Sequence, residues 1–469
     1  MGAFKQSQRW LVAFLVAALS PTALAATFAE VANQRLQHIA ERAGWPEAAA
    51  VVVRADAEPA LLFYGEAANA DRKYLLGSAS KPLTALTTLR LVAAGKLELD
   101  APVHSLLPQL AWHGEPADRP VTVRDLLQHR SGLTRAHGMT AMSAPLTANT
   151  IQLADITLAA RPGSHYHYSN LNYLLLGLLI EQVTGQPFAE ALSAQLLRPL
   201  GMDHTAVVLD PGREPDMATG HQYWFAWAKP VTQPIPAAAM APAGYIATTA
   251  GDISKLLRLM LGNGVVAGER FLPEPLWQAM LTPPETAAGY GMGWLVFPWG
   301  EHQSYAHDGL LPAYSASLQV WPAQQMAMAV LVPINEGIFA PARDVLLGDL
   351  YRLAQTERPA AETQAFVAKE RLFRAALGLV LLLLMGRLLS ALWRWRQRGQ
   401  PALLATRTQQ RRLLAAVLLQ LAVLLALMWW FKVPAQVVVF QPDLAVALLL
   451  APLLTVLRGV FARAVPAGS

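Results

Sequence analysis

YLLGSASKPLTAL, residues 74–86, sets a lysine three positions after a serine at the opening of an apolar helical pattern. The chain holds only eight lysines in 469 residues, so this placement asks for a reason. Ser78 and Lys81 stand at i and i+3, and both side chains project from one face of the first turn. A serine is a poor nucleophile until a neighbour takes its proton, and a helix N-terminus offers free N–H groups to an oxyanion. A lysine enclosed in an apolar cleft can lose its own proton, because desolvation disfavours the charged form. The pair suits acyl transfer. Taken alone it equally describes an N-capping serine before a surface lysine. Ser80, at i+2, faces elsewhere.

Two other clusters carry chemistry. In 162–188, PGSHYHYSNLNYLLLGLLIEQVTGQPF, Tyr168 and Asn170 sit just before an apolar helix. A phenol can move a proton when a nearby cation stabilises its phenolate, and an asparagine amide can both donate to and accept from a substrate amide. A core aromatic and a helix N-cap are the alternatives for these two positions. In 304–320, SYAHDGLLPAYSASLQV, His307, Asp308 and Gly309 lie between strand signals, and a strand glycine often marks close approach of a ligand or backbone. A structural histidine is the alternative reading of His307.

The order of the blocks joins these clusters. GSASK (77–81), LVAAGKLELDAPV (91–103), VTVRDLLQHRSGLT (121–134), the 162–188 stretch, LLRPLGMDHT (196–205), PAGYIATTAGDISKLL (242–257), YGMGWLV (290–296), HDG (307–309) and AVLVPIN (329–335) follow one another. Together, over about residues 28–355, they resemble the class C β-lactamase-related serine hydrolases, a group that includes penicillin-binding D-Ala-D-Ala carboxypeptidases, D-aminopeptidases and family VIII esterases. The resemblance implies Ser78 as acylated nucleophile, Lys81 as its proton-transfer partner and Tyr168 as general base and later acid. It implies that Asn170 holds the substrate amide and that His307 and Gly309 occupy an edge strand beside the scissile bond. The backbone N–H groups of Ser78 and Leu310 would form the oxyanion hole. β-Lactamases of the group carry Lys-Thr-Gly where this chain has His307-Asp308-Gly309. Asp308 in place of the hydroxyl is expected to repel a substrate carboxylate unless its side chain turns away or is protonated, which favours esters and carboxylate-free amides.

The periodicities fit an α+β domain at 26–355. Strands are expected at 48–54, 60–64, 290–297, 304–307, 315–321 and 326–333. Helices are expected at 28–43, 78–94, 122–128, 171–183, 188–197, 252–261 and 340–353. Strands at both ends with helices between imply one antiparallel sheet assembled from both termini, flanked by helices, plus a helical lobe.

The apolar content of 54% and mean hydropathy of +0.30 point to membrane segments. Residues 1–25 read as a secretory signal peptide: Lys5 and Arg9, an apolar stretch, then Ala23-Leu24-Ala25. Residues 356–372 read as a linker, and 373–393, 413–431 and 437–457 as transmembrane helices. Arginines between the first two runs and after the last place those loops in the cytoplasm, so the hydrolase domain is expected outside, as a multi-pass protein of the cell membrane. The net charge of +5 divides into +2 for 1–25, −8 for 26–368 and +11 for 369–469. An acidic outer domain argues against nucleic acid as a partner. A small molecule or peptide as substrate and the lipid bilayer are the partners expected.

No cofactor or metal is expected: His165 and His167 lack further ligands at metallohydrolase spacing, and the chain has no cysteine. The absence of GxSxG disfavours an α/β-hydrolase elbow, and Ser131 reads as a loop marker. A penicillin-binding sensor that is acylated without turnover is the alternative function; the short cytoplasmic loop and tail leave no room for an effector domain.

Overall fold

The computed structural model describes residues 21–356, apart from 109, 111, 115, 117, 138–155, 209, 226, 232–239, 288 and 337–341, together with scattered helical positions between 375 and 454. The signal-peptide residues 1–20, the linker and most of the three apolar runs lie outside the described residues. Among the described residues no helix is long and apolar enough to cross a membrane.

One six-stranded antiparallel sheet joins both ends of the domain. Its strands are β1 (Ala48–Arg54), β2 (Ala60–Tyr64), β3 (Leu295–Trp299), β4 (His302–Leu311), β5 (Tyr314–Trp321) and β6 (Met326–Val332), in the spatial order β3-β4-β5-β6-β1-β2. The central strands β1 and β6 are AAAVVVR and MAMAVLV. Both of their faces are covered, so they show no polar alternation.

On one face, helix α1 (Pro21–Ala43) and the last helix of the domain (Ala342–Thr356) enclose a core of Leu36, Val52, Met328 and Leu350. On the other face lies the helix Ala250–Leu261, whose first turn is capped by Thr249 Oγ1 accepting from Asp252 N at 3.2 Å. Beyond it is the helical lobe, with α2 (Lys81–Ala93) and α3 (Asn170–Thr184) at its centre; α3 ends at Gly185 in the left-handed conformation, φ 68°.

Among the boundaries that differ from the sequence reading, the strand expected at 304–307 runs over His302–Leu311 and so takes in His307, Asp308 and Gly309. α1 begins at Pro21 rather than 28, so it runs through the expected Ala25 cleavage site. The serine of GSASK lies on a separate 3-10 turn, Gly77–Ser80, that leads into α2. The strand expected at 290–297 is Leu295–Trp299, because Gly291 and Gly293 (φ 85°) turn the chain before it. Pro298 is tolerated there because β3 is an edge strand.

Candidate active site

Ser78 reaches the cleft between sheet and lobe because its turn is clamped against β4. A Cβ built on Gly309 would lie 1.7 Å from the Leu76 carbonyl oxygen, so only glycine lets the turn approach. From the other side, a Cβ on Gly77 (φ 56°) would meet Leu310 N at 2.8 Å. The two backbone N–H groups expected to form the oxyanion hole, those of Ser78 and Leu310, therefore belong to adjoining segments. The β3 register ends at Leu295↔Ala306, and beyond it the turn packs against Gly309 and Leu310 of β4. β4 is thus the second strand of the sheet, not the edge, and only its C-terminal half borders the cleft.

Lys81 is fully buried one turn behind the serine. Its Nζ donates to Ser78 Oγ at 3.0 Å, Asn170 Oδ1 at 2.9 Å and the Ala243 carbonyl at 2.8 Å. All three ammonium protons thus have acceptors, and none of these is a carboxylate. Burial pushes the Lys81 pKa well below the ordinary lysine value. The Ala243 carbonyl is held in place from α2 itself, where Thr84 Oγ1 donates to the Pro242 carbonyl at 2.7 Å.

Tyr168 closes the other side. Its hydroxyl lies 2.8 Å from Ser78 Oγ, and Lys81 Nζ stands 5.0 Å from its ring centroid. Burial raises the Tyr168 pKa, and the hydrogen bond to Ser78 works in the opposite direction. Four of the expected residues, Ser78, Lys81, Tyr168 and Asn170, therefore meet at one oxygen–nitrogen cluster.

His307 faces the same cleft, but its ring nitrogens have other partners. Nδ1 lies 2.8 Å from the Asp308 carbonyl and so carries the proton, and Nε2 accepts from Tyr290 Oη at 3.0 Å. Burial, with the nearby Lys81 charge, lowers the His307 pKa to about 3. The imidazole is a neutral wall, oriented by Tyr290.

Asp308 is the residue that the structure does not bring to the cleft. Successive strand side chains point to opposite faces, and Asp308 faces the layer of the last helix. There it accepts from Ser317 Oγ across the β4–β5 pair and lies 3.8 Å from Arg343 Nη2. The repulsion of a substrate carboxylate expected from Asp308 has no geometric basis, and the preference for carboxylate-free substrates drawn from it is withdrawn.

His129 was not recognised from the sequence. It is fully buried, with φ 55°, and grips the segment that bears Tyr168 and Asn170. Its carbonyl accepts from His167 N at 2.8 Å, and its Nδ1 accepts from Ser169 N at 3.3 Å and from Asn172 Nδ2 at 2.9 Å. Its ring centroid lies 4.5 Å from that of Tyr168. Ser131 belongs to the same brace, donating to Asn172 Oδ1 at 2.5 Å. The HRSGL block was the signal; what it holds lies some forty residues further on. Ser80, whose Oγ accepts from Ile246 N at 3.3 Å, is likewise structural.

Among the described residues no group of three or more His, Cys, Asp or Glu is placed to hold a metal ion.

The His307 environment predicts an acid dependence of stability. The folded chain protonates His307 only near pH 3, whereas the unfolded chain does so near 6.5. Between these values the unfolded state binds the extra proton, so stability falls as pH falls, with a slope approaching about 1.4 kcal/mol per pH unit. Above about pH 6.5 this contribution is fully present. Urea unfolding of His307→Asn across pH 3–6.5 is expected to show a shallower dependence than the parent; equal slopes would refute the assignment.

Comparison with known proteins agrees with this architecture. "Penicillin-binding protein 4" of Amycolatopsis lactamdurans is 28% identical over 318 residues, covering 64% of this chain and 83% of the relative. Relatives called "Protein flp" in Staphylococcus aureus are 26% identical, and the chain spans about half of their length. The solved structure of a D-stereospecific amidohydrolase from Streptomyces sp. is 25% identical with a TM-score of 0.52, covering 65% of this chain and 94% of that one. A class C beta-lactamase shares the fold at 19% identity, with a TM-score of 0.58 over 71% of this chain and 98% of the other. The family model for Beta-lactamase matches residues 32–350, from α1 through both walls of the cleft to the last helix of the domain, and the chain accordingly belongs to the beta-lactamase family of serine hydrolases.

Proposed function

We propose that this chain is a membrane-anchored, extracytoplasmic serine hydrolase that cleaves an amide or ester, such as a cell-wall peptide or a D-amino-acid compound, through an acyl-enzyme on Ser78. The observation that carries this reading is the position of Ser78 Oγ, 3.0 Å from Lys81 Nζ and 2.8 Å from Tyr168 Oη. One oxygen with a buried amine and a buried phenol in reach has both a proton acceptor and a route for returning the proton.

Tyr168 first passes its phenol proton to the Lys81 amine, which burial keeps neutral; as Ser78 Oγ attacks the acyl carbon, the serine proton then passes to this phenolate, which the new Lys81 ammonium has stabilised. Negative charge on the carbonyl oxygen is met by the N–H groups of Ser78 and Leu310. Tyr168 then protonates the leaving amine or alcohol. In the second half a water molecule takes the leaving group's place, loses its proton to Tyr168 and attacks the ester carbon, releasing the acid and Ser78. The atom of Asn170 that accepts from Lys81 must be Oδ1, which leaves its Nδ2 to donate to the substrate carbonyl.

An amide or ester substrate is supported by the amidohydrolase and penicillin-binding names among the similar proteins. Placement outside the membrane is supported by the N-terminal leader pattern and the arginine distribution of the C-terminal hundred residues.

Intact mass spectrometry of the full chain in detergent tests the nucleophile. Exposure to a penicillin, an aryl ester and a D-amino-acid amide is expected to give an acyl adduct with at least one of them, and Ser78→Ala is expected to abolish it. An adduct that survives in Ser78→Ala would overturn the assignment.

A further inference from the structure

The hairpin of His221–Trp224 and Trp227–Pro230 carries aromatic residues that the chemistry does not use. Its register pairs Trp224 with Trp227, so both indoles stand at the tip, 39% and 65% exposed. Phe225, between them at φ 57°, does not face solvent alone. It packs beside Leu381, Leu388 and Leu454 of the C-terminal region, and a Cβ on Gly378 would lie 3.3 Å from its ring. The hairpin tip therefore rests on the start of the first C-terminal apolar run.

The same run exposes large apolar side chains. Leu379, Leu382, Leu383 and Leu389 are 57–70% exposed, and at about 100° per residue the four positions fall within roughly 120° of one side of a helix. Single exposed leucines are ordinary, but an aligned row of them on the run against which Phe225 packs, together with the two exposed tryptophans flanking that phenylalanine, makes apolar surface that water does not favour. The occupant is identified by the residue types. Tryptophan, with an apolar body and one N–H, concentrates at the headgroup level of bilayers, while leucine faces the acyl chains. Lys229, on the second hairpin strand, has a stem that can lie along apolar surface with its ammonium at the phosphates.

We propose that the Trp224–Trp227 tip is a lipid contact: it seats in the outer headgroup layer beside the first C-terminal run and fixes the height and tilt of the hydrolase domain over the membrane. This rests on the membrane-anchor reading above and goes beyond it, since an anchor on a free linker would leave the hairpin in water.

The absence of cysteine makes a direct test simple. Trp227→Cys, Leu382→Cys and, as an exposed reference on the short strand Glu269–Arg270, Glu269→Cys of the full chain are each labelled with a nitroxide and reconstituted into phosphatidylcholine–phosphatidylglycerol vesicles. Collision with oxygen and with a water-soluble nickel complex is then read by power saturation. The Leu382 label is expected to favour oxygen strongly, and the Trp227 label to show nickel accessibility several-fold below that at Glu269 with oxygen accessibility retained. A Trp227 label as open to nickel as Glu269, with Leu382 in lipid, overturns the hairpin contact and leaves the anchor standing. Leu382 open to nickel overturns the anchor reading itself. A Trp227 label shielded from both reagents marks a protein contact, a second copy or another part of the chain, and also overturns the proposal.

Discussion

Lys81→Met is expected to reduce turnover by about three orders of magnitude while the domain stays folded, because a positioned proton-transfer group contributes about 10²–10⁴-fold. Methionine keeps the unbranched stem in a fully buried position, so packing against Tyr168 and Tyr173 is largely retained. What disappears is the donor shared by Ser78, Asn170 and the Ala243 carbonyl. The carbonyl loses a partner, at a cost of about 1–3 kcal/mol, but the desolvation penalty of a buried amine disappears with it. Stability should therefore change little. Measuring kcat/KM on an aryl ester beside a urea unfolding curve separates the two effects. Activity within tenfold of the parent would show that Tyr168 alone activates Ser78.

Gly309→Ala is expected to damage the site as severely by a different route. The new Cβ would lie 1.7 Å from Leu76 O, 2.8 Å from Leu76 C and 3.1 Å from Ala79 N. All three are backbone atoms, so no side-chain rotation relieves the clash. The Gly77–Ser80 turn must retreat from β4, taking Ser78 with it and separating the two oxyanion donors. A displacement of about 1 Å can cost on the order of 10²-fold in rate, and overpacking of this kind about 1–3 kcal/mol in stability. Loss of acyl-adduct formation together with a lowered urea midpoint is the expected result. Near-normal acylation would mean that the turn and strand are not rigidly coupled.

Much of the cleft was legible in the sequence because its chemistry lies in short local patterns. Ser78 with Lys81 is one turn of chain, and Tyr168 with Asn170 is the entrance to a helix. The serine, amine, phenol and amide do meet. Asp308 shows where adjacency misleads. Its neighbours His307 and Gly309 face the cleft, and on a strand the residue between them must face away. Treating the three as a unit overlooks that alternation, which turns Asp308 away from the cleft. His129, Tyr290 and the Ala243 carbonyl were invisible for another reason. Each acts on a residue remote in sequence, through contacts that only the folded sheet and lobe create. The strand at 290–297 was misplaced because its apolar residues fit the pattern while its glycines turn the backbone.

The sheet order also bears on when the protein can first react. β1 lies between β2 and β6, which are contributed by residues 60–64 and 326–332. β4, the wall that completes the cleft, reaches β1 only through β5 and β6. A growing chain thus displays Ser78 and Lys81 long before the strand that positions them exists, and pairings this distant in sequence form slowly. During synthesis the serine is an ordinary alcohol. Reactivity arrives with the final third of the domain, after the segment carrying the nucleophile is already in place.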